Sequence, residues 1–119
     1  MLDVTPLQTA VDALADRLRS LPQSRLHHGA AAEGLSLARQ LTTRAQLIER
    51  PGETPHELPD AGVFAVGDQL AVAGHDLVEA LRSAALRMAD GTGDPDAKAA
   101  PAEELAEAVR WVRAAAERC

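Results

Sequence analysis

The chain has 119 residues, of which 46% are hydrophobic and 25% charged, so it is long and apolar enough for one folded domain and is not a disordered chain. Its net charge of −6 at pH 7, with one Phe, one Trp and no Tyr, argues against nucleic-acid binding, which needs a clustered basic surface and often aromatic stacking. No apolar run approaches the roughly 18 residues of a membrane span, so no membrane association is expected.

The first predicted helix covers residues 6–21. Thr5 is suited to cap it, and Pro6 suits its first turn. Apolar residues follow at the alternating four- and three-residue spacing of one packed helical face: Leu7, Val11, Leu14, Leu18 and Leu21. Pro22 ends the helix, because a proline in a helix interior removes a backbone hydrogen bond.

The second predicted helix covers residues 24–49, with Ser24 as its cap. Its apolar stripe has a helical period: Leu26, Ala30, Gly34, Leu37, Leu41, Ala45 and Ile48. The stretch RPGETPHELPDAG that follows holds three prolines and two glycines. This composition predicts a loop over residues 50–61.

The third predicted helix covers residues 62–90 and the fourth covers residues 101–119. The stripe of the third consists of Val63, Val66, Leu70, Ala73, Leu77, Leu81, Ala84 and Met88. The stripe of the fourth consists of Leu105, Ala108, Val109, Val112, Ala116 and Cys119. Between the two helices, residues 90–100 mix glycine, proline and acids, which predicts a flexible acidic linker.

Four amphipathic helices with short connections predict an all-α fold. We expect residues 1–119 to form a single domain, a four-helix antiparallel bundle in up-down-up-down order. At 1.5 Å per residue, the two central helices are about 40 Å long and the two flanking helices about 25 Å. Both short helices should then cover the same end of the central hairpin, which leaves its other end uncovered.

Three glycines lie inside the stripes of the two long helices: Gly34, Gly67 and Gly74. A helix-interior glycine costs roughly 0.5–1 kcal/mol relative to alanine, so these positions are expected to let another helix approach closely. Near Gly67 the stripe is wide enough for two neighbours. We expect one of them to be a second copy of the chain, in a homodimer with an interface at the uncovered tip: Leu41, Leu47, Ile48, Val63, Phe64, Val66, Gly67 and Leu70. The alternative is that the loop 50–61 covers this tip.

His75 lies at the border of the third stripe, in the stretch GHDLVEAL. The stretch resembles the phospho-acceptor box of sensor histidine kinases at His75, Asp76 and Leu77, and departs from it at Val78 and Ala80. That resemblance implies a phosphorylated histidine on a dimeric helical hairpin. The alternative is a histidine that hydrogen-bonds a neighbouring side chain, and we then expect His75 to be replaceable.

The remaining polar residues do not form a recognisable catalytic or metal-binding pattern. His56 lies in an acidic loop that lacks a metal-ligand spacing. Glu104 and Glu107 have the E-x-x-E spacing of a magnesium site, but a facing pair of carboxylates is missing. Cys119 is the only cysteine, and no nucleophile–base pair accompanies it. We therefore predict no catalytic residue, no metal and no cofactor.

Together these features predict a small non-enzymatic interaction or regulatory module that forms a homodimer and can bind a further protein partner. Eleven arginines against the single Lys98, with 25 alanines, indicate a GC-rich bacterial source. The start of the chain lacks a signal-peptide pattern and the single cysteine suits a reducing compartment, so the cytoplasm is expected. Two alternative functions remain, a small-molecule-binding bundle with its ligand near the three glycines and a histidine phospho-acceptor module.

Overall fold

The computed structural model describes residues 2–92 and 100–119. Their regular structure is helical, in the order α1 (Thr5–Ser20), α2 (Gln23–Arg25), a π-helical turn (Leu26–Ala30), α3 (Ala31–Glu49), a 3₁₀ turn (Val63–Ala65), α4 (Val66–Ala89) and α5 (Pro101–Arg118). The segment from α2 through α3, and the 3₁₀ turn with α4, form two long helices of 27 residues each. The predicted all-α four-helix bundle with two long and two shorter helices is confirmed. Most of the predicted linker over 90–100 lies outside the described residues.

One cluster of buried apolar side chains forms the core and receives residues from α1, α3, α4 and α5. In α1, for example, the buried residues are those of the predicted stripe: Leu7, Val11, Leu14 and Leu18, with Ala15 beside them. Burying a leucine side chain fully contributes roughly 1.5–3 kcal/mol. Within the described residues, every polar or charged residue keeps part of its surface exposed to solvent. Apolar packing therefore holds the helices together.

Gly29 interrupts the second long helix, where the sequence predicts an unbroken helix over 24–49. Its φ of 130° lies in the region that favours glycine, and the surrounding turn is π-helical. Because Gly29 has no Cβ, it can adopt this backbone conformation without a steric clash. The carbonyl of Ala30, the last residue of this turn, lies 3.8 Å from the Sγ of Cys119.

Four helix ends meet at one end of the bundle, which we call the lower end. A Cβ built on Gly34, near the start of α3, would lie 2.6 Å from Val66 Cγ1 at the start of α4 and 2.8 Å from Leu18 Cδ1 near the end of α1. Cys119, which follows α5, contacts Ala30 at the same place. Helices α1 and α5 therefore run toward the lower end, whereas α3 and α4 run away from it.

This order is up-down-down-up, and the alternating direction expected for the third helix is wrong. The cause is the connection of residues 50–62, here named the crossover, which does not turn tightly. It returns along α3, since His56 bonds to Gln46 and Leu58 bonds to Arg39, seven residues nearer the lower end. Helix α4 can therefore begin beside the start of α3 and run parallel to it.

Candidate functional site

The eight residues predicted to form a dimer interface do not share one surface. Because α3 and α4 are parallel and Gly34 lies beside Val66, residues 41–48 lie about 10–20 Å further from the lower end than Val66. Four residues of the set are buried in their own chain: Leu41, Val66, Gly67 and Leu70. Of the others, Phe64 is 70% exposed, Leu47 is 37% exposed, and Ile48 and Val63 are half-buried. The uncovered tip from which the interface was inferred is therefore absent, because it depended on alternating helix directions.

The three packing glycines contact helices of their own chain. A Cβ on Gly67 would lie 2.9 Å from the carbonyl oxygen of Ala15 in α1. A Cβ on Gly74 would overlap the side chain of Val11, one α1 turn further along. The second neighbour of α4 near Gly67 is thus α1. These contacts also fill the space that the small-molecule alternative assigned to a ligand near the glycines.

His75 is an exposed residue of α4 that pairs with α1. Its Nε2 lies 3.4 Å from Asp12 Oδ1, and the side chains are 60% and 57% exposed. Such exposed pairs contribute little to stability, because water surrounds both side chains. The imidazole is accessible, so its geometry is compatible with either alternative stated for it.

We expect His75→Gln to change the free energy of unfolding by less than about 0.5 kcal/mol, as is usual for exposed residues without a special role. Urea unfolding followed by circular dichroism measures this. A loss well above that value would show that the pair with Asp12 is structurally important. Phosphate incorporation that is lost in the variant would instead support the phospho-acceptor alternative.

Glu104, one of the two acids with E-x-x-E spacing, is engaged by the bundle itself. Its side chain is 14% exposed, and its carboxylate lies 3.3 Å from the Nε of Arg44 in α3. The Arg44 guanidinium also lies 5.5 Å from the ring centre of Trp111, within cation–π range. This cluster joins α3 to α5. Across the described residues, no group of three His, Cys, Asp or Glu side chains is placed to hold a metal ion.

The Cys119 side chain is buried beside the π-helical turn. Burial raises the pKa of its thiol above the ordinary value, with a smaller contribution from the charge of Glu33. A raised pKa lowers the fraction of thiolate, which is the reactive form. Arg17 and Arg25 donate to the Cys119 carbonyl at 3.1 and 3.4 Å, so this residue joins α5 to α1 and α2.

The outer face of the long helix formed by the 3₁₀ turn and α4 carries three exposed apolar side chains, of which only Phe64 was among the predicted interface residues. Phe64, Val72 and Leu86 are 70%, 61% and 69% exposed. At about 100° per residue they fall within roughly 80° of one another on the helix. The signal of Val72 and Leu86 was available in the sequence, because both lie outside the stripe assigned to the core.

Three side chains hold the crossover by its backbone. The side-chain amide of Gln46 pairs with both backbone groups of His56, accepting from its N–H at 2.8 Å and donating to its carbonyl at 2.9 Å. Arg39 Nε donates to the Leu58 carbonyl at 2.8 Å, and Gln69 Nε2 donates to the Pro59 carbonyl at 2.9 Å. The half-buried Leu58 side chain packs against the core. The crossover thus lies in the groove between the two parallel helices, held by side chains from both.

In the described parts of the chain, none of the helices is long and apolar enough to cross a membrane. Comparisons with protein-family models, curated proteins and solved structures found no significant match.

Proposed function

We propose that this chain is a non-enzymatic interaction or regulatory module that acts as a homodimer, with the outer face of α4 as the contact surface. The observation that carries the proposal is the exposure of Phe64, Val72 and Leu86 on one side of α4 and the 3₁₀ turn that precedes it. Large apolar side chains that share a face mark interaction sites when they form a patch. No catalytic arrangement in the described residues offers a competing use for this face.

The spacing of α4 favours a second copy as the partner. A twofold axis through His75 would pair α4 with its copy in antiparallel orientation. Phe64 and Leu86 lie eleven positions on either side of His75, so each would meet the other in the partner. Asp68 and Arg82 lie seven positions on either side, so opposite charges would also meet. Such a self-complementary surface is the form that a twofold dimer requires.

Sedimentation of the wild-type chain at tens of micromolar tests the proposal, with a dimer as the expected result. Phe64→Ser and Leu86→Ser should each weaken the dimer at least about tenfold, since a buried apolar anchor is worth more than about 1.4 kcal/mol. Leu47→Ser, which removes an exposed leucine from α3, is the matched control and should leave the dimer intact. A wild-type chain that sediments as a monomer under these conditions would contradict the homodimer proposal.

A further inference from the structure

The crossover makes the kinds of contact that a peptide makes with its binding protein. Between His56 and Leu58 it passes from Gln46 to Arg39, which are about 10 Å apart along α3, so it is drawn out along the helix. Its contacts combine backbone recognition with one apolar anchor, Leu58, and one charge pair, in which Glu57 lies 3.4 Å from Arg39. Backbone hydrogen bonds with side-chain anchors are the usual means of peptide recognition.

Two glutamine side chains bond to the crossover, and in one of them only the amide nitrogen has a hydrogen-bond partner. Gln46 bonds to both the N–H and the carbonyl of His56. Gln69 donates to the carbonyl of Pro59, but its Oε1 is buried and has no hydrogen-bond partner in the described residues. Proline has no backbone N–H to offer. Because an unsatisfied buried acceptor is costly, the crossover is an imperfect occupant of the groove.

We propose that the groove between α3 and α4 is a peptide-binding site that the crossover occupies as an internal ligand. Its external ligand is an extended segment with a carboxylate residue, a leucine and then a residue other than proline. Such a segment repeats the pair with Arg39 and the leucine anchor. It also supplies the N–H that Gln69 lacks, so it competes with the crossover.

The inference rests on the proposed interaction role and names the chemistry of a second partner. The tethered crossover competes at an effective concentration in the millimolar range, as is typical of a short flexible tether. The wild-type chain therefore binds an external peptide weakly. A substitution that weakens the binding of the crossover to the groove, and leaves the groove residues unchanged, should make the site accessible to an external peptide.

The test is a fluorescence-anisotropy titration with labelled peptides of residues 53–62, ETPHELPDAG. The receptor is the His56→Pro chain, which loses the N–H bonded to Gln46 but keeps every groove residue. The peptide with Pro59→Ala should bind this receptor at least about tenfold more tightly than it binds wild type. The native peptide should bind it about two- to tenfold less tightly than the Pro59→Ala peptide, the range expected for one hydrogen bond. A Leu58→Ser peptide should not bind.

The matched receptor control is Thr54→Pro, which places a proline in the same segment away from the bonds to Gln46, Arg39 and Gln69. It should behave like the wild-type chain. Absence of saturable binding to a folded His56→Pro chain, or equal binding of the Leu58→Ser peptide, would overturn the inference. These outcomes are separate from the dimer test, because sedimentation can report a dimer whether or not the peptide binds.

If His56→Pro does not fold, Pro59→Ala within the full chain is the deciding variant. It supplies the missing N–H internally, so hydrogen exchange of the His56 amide should slow about two- to tenfold. Unchanged or faster exchange would show that Gln69 does not accept a hydrogen bond from the N–H of residue 59. The basis for the proposed ligand would then be lost.

Discussion

Leu41→Ala should lower the free energy of unfolding by about 2–5 kcal/mol, the range for a leucine truncated in a packed core. The Leu41 side chain is fully buried, so the substitution removes contacts and leaves a cavity. Urea unfolding followed by circular dichroism measures the loss. The effect should be independent of protein concentration if Leu41 acts within a single chain.

The matched control is Leu47→Ala, on the same helix and with the same atoms removed. Leu47 is 37% exposed, so the expected loss is below about 1 kcal/mol. The two leucines were predicted to share one dimer surface, whereas the structure separates them into a core residue and a surface residue. Equal losses at both positions would contradict the placement of α3.

Gly67→Leu should destabilise the fold by about 1–3 kcal/mol, because the new side chain overpacks the contact with α1. A Cβ at this position would lie 2.9 Å from the Ala15 carbonyl oxygen and 2.8 Å from Arg19 Cγ. The arginine side chain can move aside, but the α1 backbone must shift as a unit. The gain in helix propensity, about 1 kcal/mol, offsets only part of this cost.

Ser83→Leu is the control for Gly67→Leu, since it places the same side chain on an exposed position of α4. Its effect on the free energy of unfolding should stay within about 0.5 kcal/mol. Thermal and urea unfolding of both variants make the comparison. A Gly67→Leu chain as stable as the control would mean that α1 does not cross α4 at this glycine.

The helical character of the chain was predictable because each helix carries a clear apolar stripe. Leu7, Val11, Leu14 and Leu18 recur at helical spacing and are all buried in α1. Gly67 was predicted to be a packing glycine from its place inside a stripe, and a Cβ there would lie 2.9 Å from the Ala15 carbonyl oxygen. For the helices, local periodicity was sufficient evidence.

The direction of α4 could not be predicted in the same way. The segment 50–62 reads as a loop whether it turns tightly or returns along α3, and only the partners of Gln46, Arg39 and Gln69 distinguish the two. These polar side chains lie outside the apolar stripes, so periodicity carries no information about them. The neighbour of Gly67 was misassigned for the same reason, since it depends on where α4 begins.

The groove depends on the same contacts and was invisible in the sequence. Nothing in the order of residues shows that Gln69 meets Pro59, or that a proline there leaves an acceptor without a donor. The exposed face of α4, unlike the groove, could have been predicted from the sequence, because Val72 and Leu86 lie outside the core stripe. Sequence patterns therefore locate faces of helices more readily than contacts between helices and loops.

A nuclear Overhauser experiment can establish whether α3 and α4 run parallel. A Cβ on Gly34 would lie 2.6 Å from Val66 Cγ1, so cross-peaks between the Gly34 α-protons and the Val66 methyl groups are expected. In an alternating bundle, Gly34 would instead face the region of Val78, which here lies about 18 Å further along α4 from Val66. Cross-peaks from Gly34 to Val78, without any to Val66, would contradict the structure.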